Sequence, residues 1–142
     1  MALGPLTYKT PNQITFITAD LSGSEGCGVT LTAQGTIGLS TVQTEIPYGV
    51  VVVGAASVSG TYSPSGQVAA GALEIVDATG CVVQVQAGAG AITVGTLLQV
   101  DGNAAFIAST AAVGEYIWGV ALTAAPAGGQ FLMRFQPYIR QA

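Results

Sequence analysis

A chain of 142 residues with 50% apolar and only 7% charged residues is one domain's worth of globular sequence, and its mean hydropathy of +0.59 excludes intrinsic disorder. Twenty Gly and six Pro interrupt it too often for a helical bundle or coiled coil. Its net charge is −4, it has no His, and its cations are Lys9, Arg134 and Arg140, so it offers no basic stripe for nucleic acid and no imidazole for acid–base or metal chemistry.

Residues 1–24 carry Pro5 and Pro11 and one alternating stretch, 13–18, which predicts an extended N-terminal arm leading into a first strand. The start lacks the apolar stretch of a secretory leader, so the protein is expected to remain where it is made. The longest apolar run, 50–56, is interrupted by Gly54 and far short of the ~20 residues that span a bilayer, so no membrane is expected as a partner. Residues 25–142 read as a single β domain. Strands are expected near 28–32, 36–40, 49–53, 67–69, 73–77, 81–86, 96–100, 104–108, 116–123 and 130–136. The fold class is therefore all-β, a small barrel or sandwich.

Gln34-Gly35 and Asp101-Gly102-Asn103 lie between apolar strands and predict tight hairpins in which Gly supplies a positive φ. Aligning Gly35 with Gly102, and Gly49-Val50 with Gly119-Val120, relates 28–56 to 96–126 as an internal duplication. The stretch 54–80 is dominated by Gly, Ser and Ala and reads as a long hairpin or loop. Near the C-terminus Tyr116, Trp118, Val120 and Leu122 are expected on one face of a strand, with Ile117, Gly119 and Ala121 on the other. Phe131, Met133 and Phe135 alternate with Leu132, Arg134 and Gln136 in the same way. Cys81, Val83 and Val85 alternate with Gln84 and Gln86, with Val82 breaking the pattern at its start, which leaves one side of that strand wet or against a polar partner.

Little in the chain supports catalysis. An activated Ser or Thr needs an adjacent base, and only Lys9 and seven carboxylates remain for the role. The carboxylate pairs nearest in sequence, Asp20 with Glu25 and Glu74 with Asp77, sit at loops and strand ends, where solvation explains them. Cys27 and Cys81 are too few for a disulfide framework or a zinc site and are expected as two buried thiols. Gly88, Gly90 and Gly95 lack the Lys and hydroxyl of a phosphate loop and read as a turn. No catalytic, cofactor or metal residue is assigned. A β-rich chain so poor in charge must close its strand edges or pair them with partners, which points to assembly of identical copies.

The stretch AITVGTLLQVDGNAAFIASTAAVGEYIWGVALTAAPAGGQFLMRFQPY (91–138) resembles the capsid decoration, or cement, proteins of tailed bacteriophages, and LTAQGTIGLSTVQTEIPYGVVVVGA (31–55) is similar to the first part of the same family. The resemblance covers about half the chain and rests on structural glycines and apolar strands. It implies a non-enzymatic, β-tulip-like module without a cofactor, usually a homotrimer, that binds the major capsid protein on the outer face of the virion head after synthesis in the host cytoplasm. There it would bridge capsomers and reinforce the expanded head against packaged DNA. It also implies an arm that reaches a neighbour, with Leu3, Pro5, Leu6 and Tyr8 as anchors, and interface candidates Tyr48, Trp118, Phe131, Phe135 and Tyr138. The alternative reading is a virion-associated or extracellular adhesin or carbohydrate-binding module. Its natural stacking platform, Trp118, alternates with apolar neighbours, which argues for core packing instead.

Overall fold

The computed structural model describes residues 14–18, 21–33, 36–53, 59–64 and 74–141. Short β-branched and apolar runs, cut by turns, form eleven strands and no helix among these residues: β1 (Ile14–Thr18), β2 (Gly28–Ala33), β3 (Thr36–Leu39), β4 (Gly49–Val53), β5 (Ser59–Pro64), β6 (Glu74–Val76), β7 (Val82–Gln86), β8 (Leu97–Val100), β9 (Phe106–Ala108), β10 (Tyr116–Ala121) and β11 (Gln130–Ile139). The fold is all-β and sandwich-like, built from two sheets. The first runs β1-β3-β2-β4-β6-β5, and its ladder returns on itself because β5 also flanks β1. Its β1–β3 and β5–β6 pairings are parallel and the others antiparallel. The second runs β7-β11-β10-β8-β9, all antiparallel, with a lone parallel bridge from Ala87 to Phe106 joining its two outer strands.

Each sheet closes over its own apolar cluster. Leu21, Val29, Ile37, Val51 and Ile75 fill the first, with Leu39 and Tyr48 packed against them. The second is larger: it gathers Val83, Val85, Leu98, Val100, Phe106, Trp118, Phe131, Met133 and Phe135, among others, and draws in Val50 and Val76 from the first sheet. Trp118 meets Phe106 and Phe135 edge-on, with ring centroids 5.5 and 6.3 Å away, the arrangement that aromatic quadrupoles favour.

The alternation read for β11 and β7 is present, with Phe131, Met133, Phe135, Val83 and Val85 inward and Leu132, Arg134, Val82 and Gln84 exposed. On β10 Ile117, Trp118, Gly119 and Ala121 are all buried, so both faces are packed, but Trp118 and Ala121, expected on opposite faces, belong to one apolar cluster, and the pairing register with β11 shifts between Ile117 and Gly119. Opposite Trp118 the partner strand carries two residues, Gln136 and Pro137, so a proline with no N–H to donate sits at a bulge inside a ten-residue strand. That bulge carries β11 three residues beyond its expected end.

The Asp101-Gly102-Asn103 turn also differs from expectation. Gly102 does not take the positive φ; Ala104 does, at 63°. The hairpin is wider than a tight turn, pairing Val100 with Phe106, and Asp101 organises it: its Oδ1 accepts from the amides of Asn103 (2.8 Å) and Ala105 (3.1 Å). Strand β9 consequently starts at Phe106 and not at 104. Among the described residues of 54–80 the structure places two strands, β5 and β6; β5 falls where no strand was expected, and the strand expected at 67–69 lies outside the described residues. The hairpin at Gln34-Gly35 is closed by an Ala33–Thr36 pair, with the two turn residues themselves outside the described set.

The two stretches share a strand topology, in a register different from that of the sequence alignment. In both halves a hairpin's first strand pairs on its other side with the third strand: β3-β2-β4 and β9-β8-β10. Val29 faces Leu39 and Gly49, as Leu98 faces Ala108 and Gly119. Leu31 faces Ile37 as Val100 faces Phe106, and the parallel contact of Thr18 with Ile37 matches that of Ala87 with Phe106. Backbone bonds repeat as well. Ser40 N donates to Gly28 O (2.9 Å) and Ser109 N to Leu97 O (2.8 Å); Gly26 N donates to Val51 O and Gly95 N to Ala121 O, both at 2.8 Å. In this register Gly35 corresponds to Ala104, the residue with the positive φ, and not to Gly102. The lone strand β11 does in the second half what β5 and β6 share in the first, pairing with β7 as β5 does with β1 and with β10 as β6 does with β4.

Candidate interaction surface

The segment between β3 and β4, residues 40–48, has no regular structure of its own but is tied down at several points. Glu45 Oε1 accepts from the amides of Thr41 (3.0 Å) and Val42 (2.8 Å), and Glu45 N donates to Val42 O (3.1 Å). Thr30, buried in mid-strand, donates from its hydroxyl to Ile46 O (2.8 Å), and Tyr48 N donates to Val29 O (3.0 Å). The segment is thereby held so that Ile46 stands out at 65% exposure beside Leu31 at 48%. Thr30, Leu31, Thr44, Glu45, Ile46 and Tyr48 line an open cleft of about 250 Å³ here. An apolar cleft with a polar rim, fixed before anything binds, suits a protein partner because little ordering entropy is lost on contact.

A second exposed apolar area lies on the outer face of the other sheet. The ladder sets Val82, Arg134, Val120 and Leu97 in a row across β7, β11, β10 and β8. Leu132 and Gln84 form the neighbouring pair, and Gln84 Nε2 donates to Gln130 Oε1 at 2.6 Å. Val82, Leu97 and Leu132 are all exposed. This is the wet side that the sequence of β7 pointed to, and it mixes amides, one guanidinium and aliphatic side chains.

The expected interface residues divide into three groups. Trp118, Phe131 and Phe135 are closed into the chain's own core at 0, 2 and 1% exposure. Tyr48 is half-buried and lines the cleft, and Tyr138 is exposed near the end of β11. Leu3, Pro5, Leu6 and Tyr8 lie outside the described residues. Leu31, Ile46 and Leu97 were missed, since a lone aliphatic residue in a β-branched run gives no sign in sequence that its covering neighbour is absent.

Cys27 and Cys81 are free, half-buried thiols. Burial, reinforced by the negative charges of Asp101 and then Glu25, pushes the Cys27 thiol above its ordinary pKa, which keeps it protonated and unreactive at neutral pH. Of the carboxylate pairs weighed for catalysis, Glu25 is exposed and Asp77 half-buried, while Asp20 and the Glu74 side chain lie outside the described set. No group of three or more Cys, Asp or Glu is placed to hold a metal ion among the described residues. No protein-family model matches the chain, and no curated protein matches it in sequence.

Proposed function

We propose that this chain is a structural virion protein that coats the outside of a tailed-phage head, bridges capsomers and stabilises the expanded shell against internal DNA pressure. The observation that carries the reading is the fixed, nearly uncharged apolar cleft at Leu31, Ile46 and Tyr48, on a chain whose sequence at 31–55 and 91–138 resembles the cement proteins. A coat protein needs contacts of this kind. Each can be weak, because many copies on one lattice sum to a strong hold through multivalency. Self-association, as a homotrimer, and the major capsid protein supply the two partners, and the protein acts on the outer surface of the particle. The carbohydrate-binding alternative is less well supported, because its platform would be Trp118, which has no exposed surface.

The mechanism is preferential binding: if the footprint exists only on the expanded shell, each bound copy favours that state. Incubating the purified protein with expanded and unexpanded heads of its own phage and sedimenting both tests this. Saturable binding to expanded heads with little to unexpanded ones is expected; equal binding to both removes the selection step, and binding to neither removes the proposal.

A further inference from the structure

We propose that the cleft at Leu31, Ile46 and Tyr48 is a docking site for a second copy of this chain, which inserts the Leu97–Val120 face of its β8–β10 ladder. The proposal goes beyond the capsid reading by naming both surfaces of a self-contact, and its test involves no shell, so the two can fail separately.

The argument comes from the repeat. The two halves of one chain pack head to tail, not face to like face. In the second half, the positions equivalent to the cleft residues Leu31, Ile46 and Tyr48 are Val100, Tyr116 and Trp118. The first half contacts all three and buries Val100 and Trp118. Gln43 Nε2 donates to Val100 O (3.1 Å), and Tyr116 N donates to Gln43 O (2.9 Å). Gly28 lies so close that a Cβ there would sit 2.7 Å from Trp118 Cη2 and 3.1 Å from Val100 Cγ1. Its ladder partner Val50 joins the same apolar cluster as Trp118. Val100 and Trp118 are thus fully buried, whereas Leu31, at the same place in the first half, is 48% exposed and Tyr48 only half-buried. Among the described residues, one socket is filled within the chain and the other is open.

The inserting surface is likewise present twice. The pair that covers Trp118 is Gly28 with Val50; its equivalent in the second half is Leu97 with Val120, and Leu97 is 39% exposed. Sizes compensate. Inside the chain a glycine faces a tryptophan, while the free surfaces set a leucine against a cleft that holds the smaller tyrosine. Charges agree as well: exposed Arg134 adjoins Val120 across the ladder, and Glu45 lines the cleft. A contact between unlike surfaces of identical copies is heterologous and propagates until a ring closes.

Complementary variants test this, using Ile46→Glu to spoil the cleft and Leu97→Glu to spoil the inserting face. Both side chains are exposed, so each variant should fold; Leu31→Glu is a second cleft variant, and circular dichroism and Trp118 fluorescence check the fold. By light scattering after size exclusion, the wild type should be an oligomer and each variant alone a monomer. A one-to-one mixture of Ile46→Glu with Leu97→Glu should form a dimer and nothing larger, because only one intact cleft meets one intact face. A monomeric wild type, a variant that keeps the wild-type mass, or a mixture that stays monomeric would overturn the proposal.

Discussion

Ala104 is a non-glycine residue held at a φ of 63°, in a region that costs an L-residue roughly 1–2 kcal/mol. Glycine's extra backbone entropy takes back part of the gain, so Ala104→Gly should stabilise the chain by about 0.5–1 kcal/mol, read as a higher midpoint in urea; a lower midpoint would show that the methyl's packing matters more. Gly49 and Gly119 occur at matching places for one steric reason. A Cβ at Gly49 would meet Val76 O at 2.7 Å, and one at Gly119 would strike the Arg134 carbonyl. Trp118 buries its ring but leaves its indole N–H without an acceptor among the described residues. Trp118→Phe should therefore cost clearly less than the ~3–5 kcal/mol expected of Trp118→Ala, and equal losses would mean that the indole nitrogen does contribute. Because its pKa is raised, the Cys27 thiol binds its proton more tightly folded than unfolded. The associated stability is present at neutral pH and declines as pH rises through the alkaline range. Alkylation at pH 7 should accordingly be slower at Cys27 in the native protein than in urea, with peptide mapping as the readout.

The segment 40–48 shows how local bonds prepare a surface. Its counterpart between β9 and β10 is fixed by the same devices: buried Gln99 accepts from Thr110 N through Oε1 (3.0 Å), and Glu115 accepts from the Thr110 hydroxyl (2.8 Å). Thr30→Val should leave the fold intact yet speed amide exchange across 40–48, since it removes the bond to Ile46 O; unchanged exchange would show that the Glu45 and Tyr48 bonds hold the segment without it. Most strands were legible because a buried face imposes a period of two, which Val83, Val85, Phe131, Met133 and Phe135 display. The period gave no sign of the bulge that Gln136 and Pro137 form opposite Trp118, since a bulge has no marker beyond the proline itself. The open cleft was illegible for a different reason. Leu31 and Val100 look alike in sequence, and only the packing of one half on the other buries Val100 and leaves Leu31 exposed.

At the scale of the whole molecule, the chain compensates for scarce charge by covering surface. Among the described residues the two halves cover each other on one side only, and the exposed cleft and ladder face are the surfaces on which the proposed contacts rest. If the cleft contributes to holding the coat together, Ile46→Glu should lower the number of copies retained per head without lowering the melting temperature of the free chain; full retention would assign the hold to other surfaces. The most direct measurement is made on DNA-filled heads, heated with and without saturating protein while DNA release is followed by dye fluorescence. Coated heads should release DNA at a clearly higher temperature than bare ones, and identical release temperatures at full occupancy would contradict a reinforcing role.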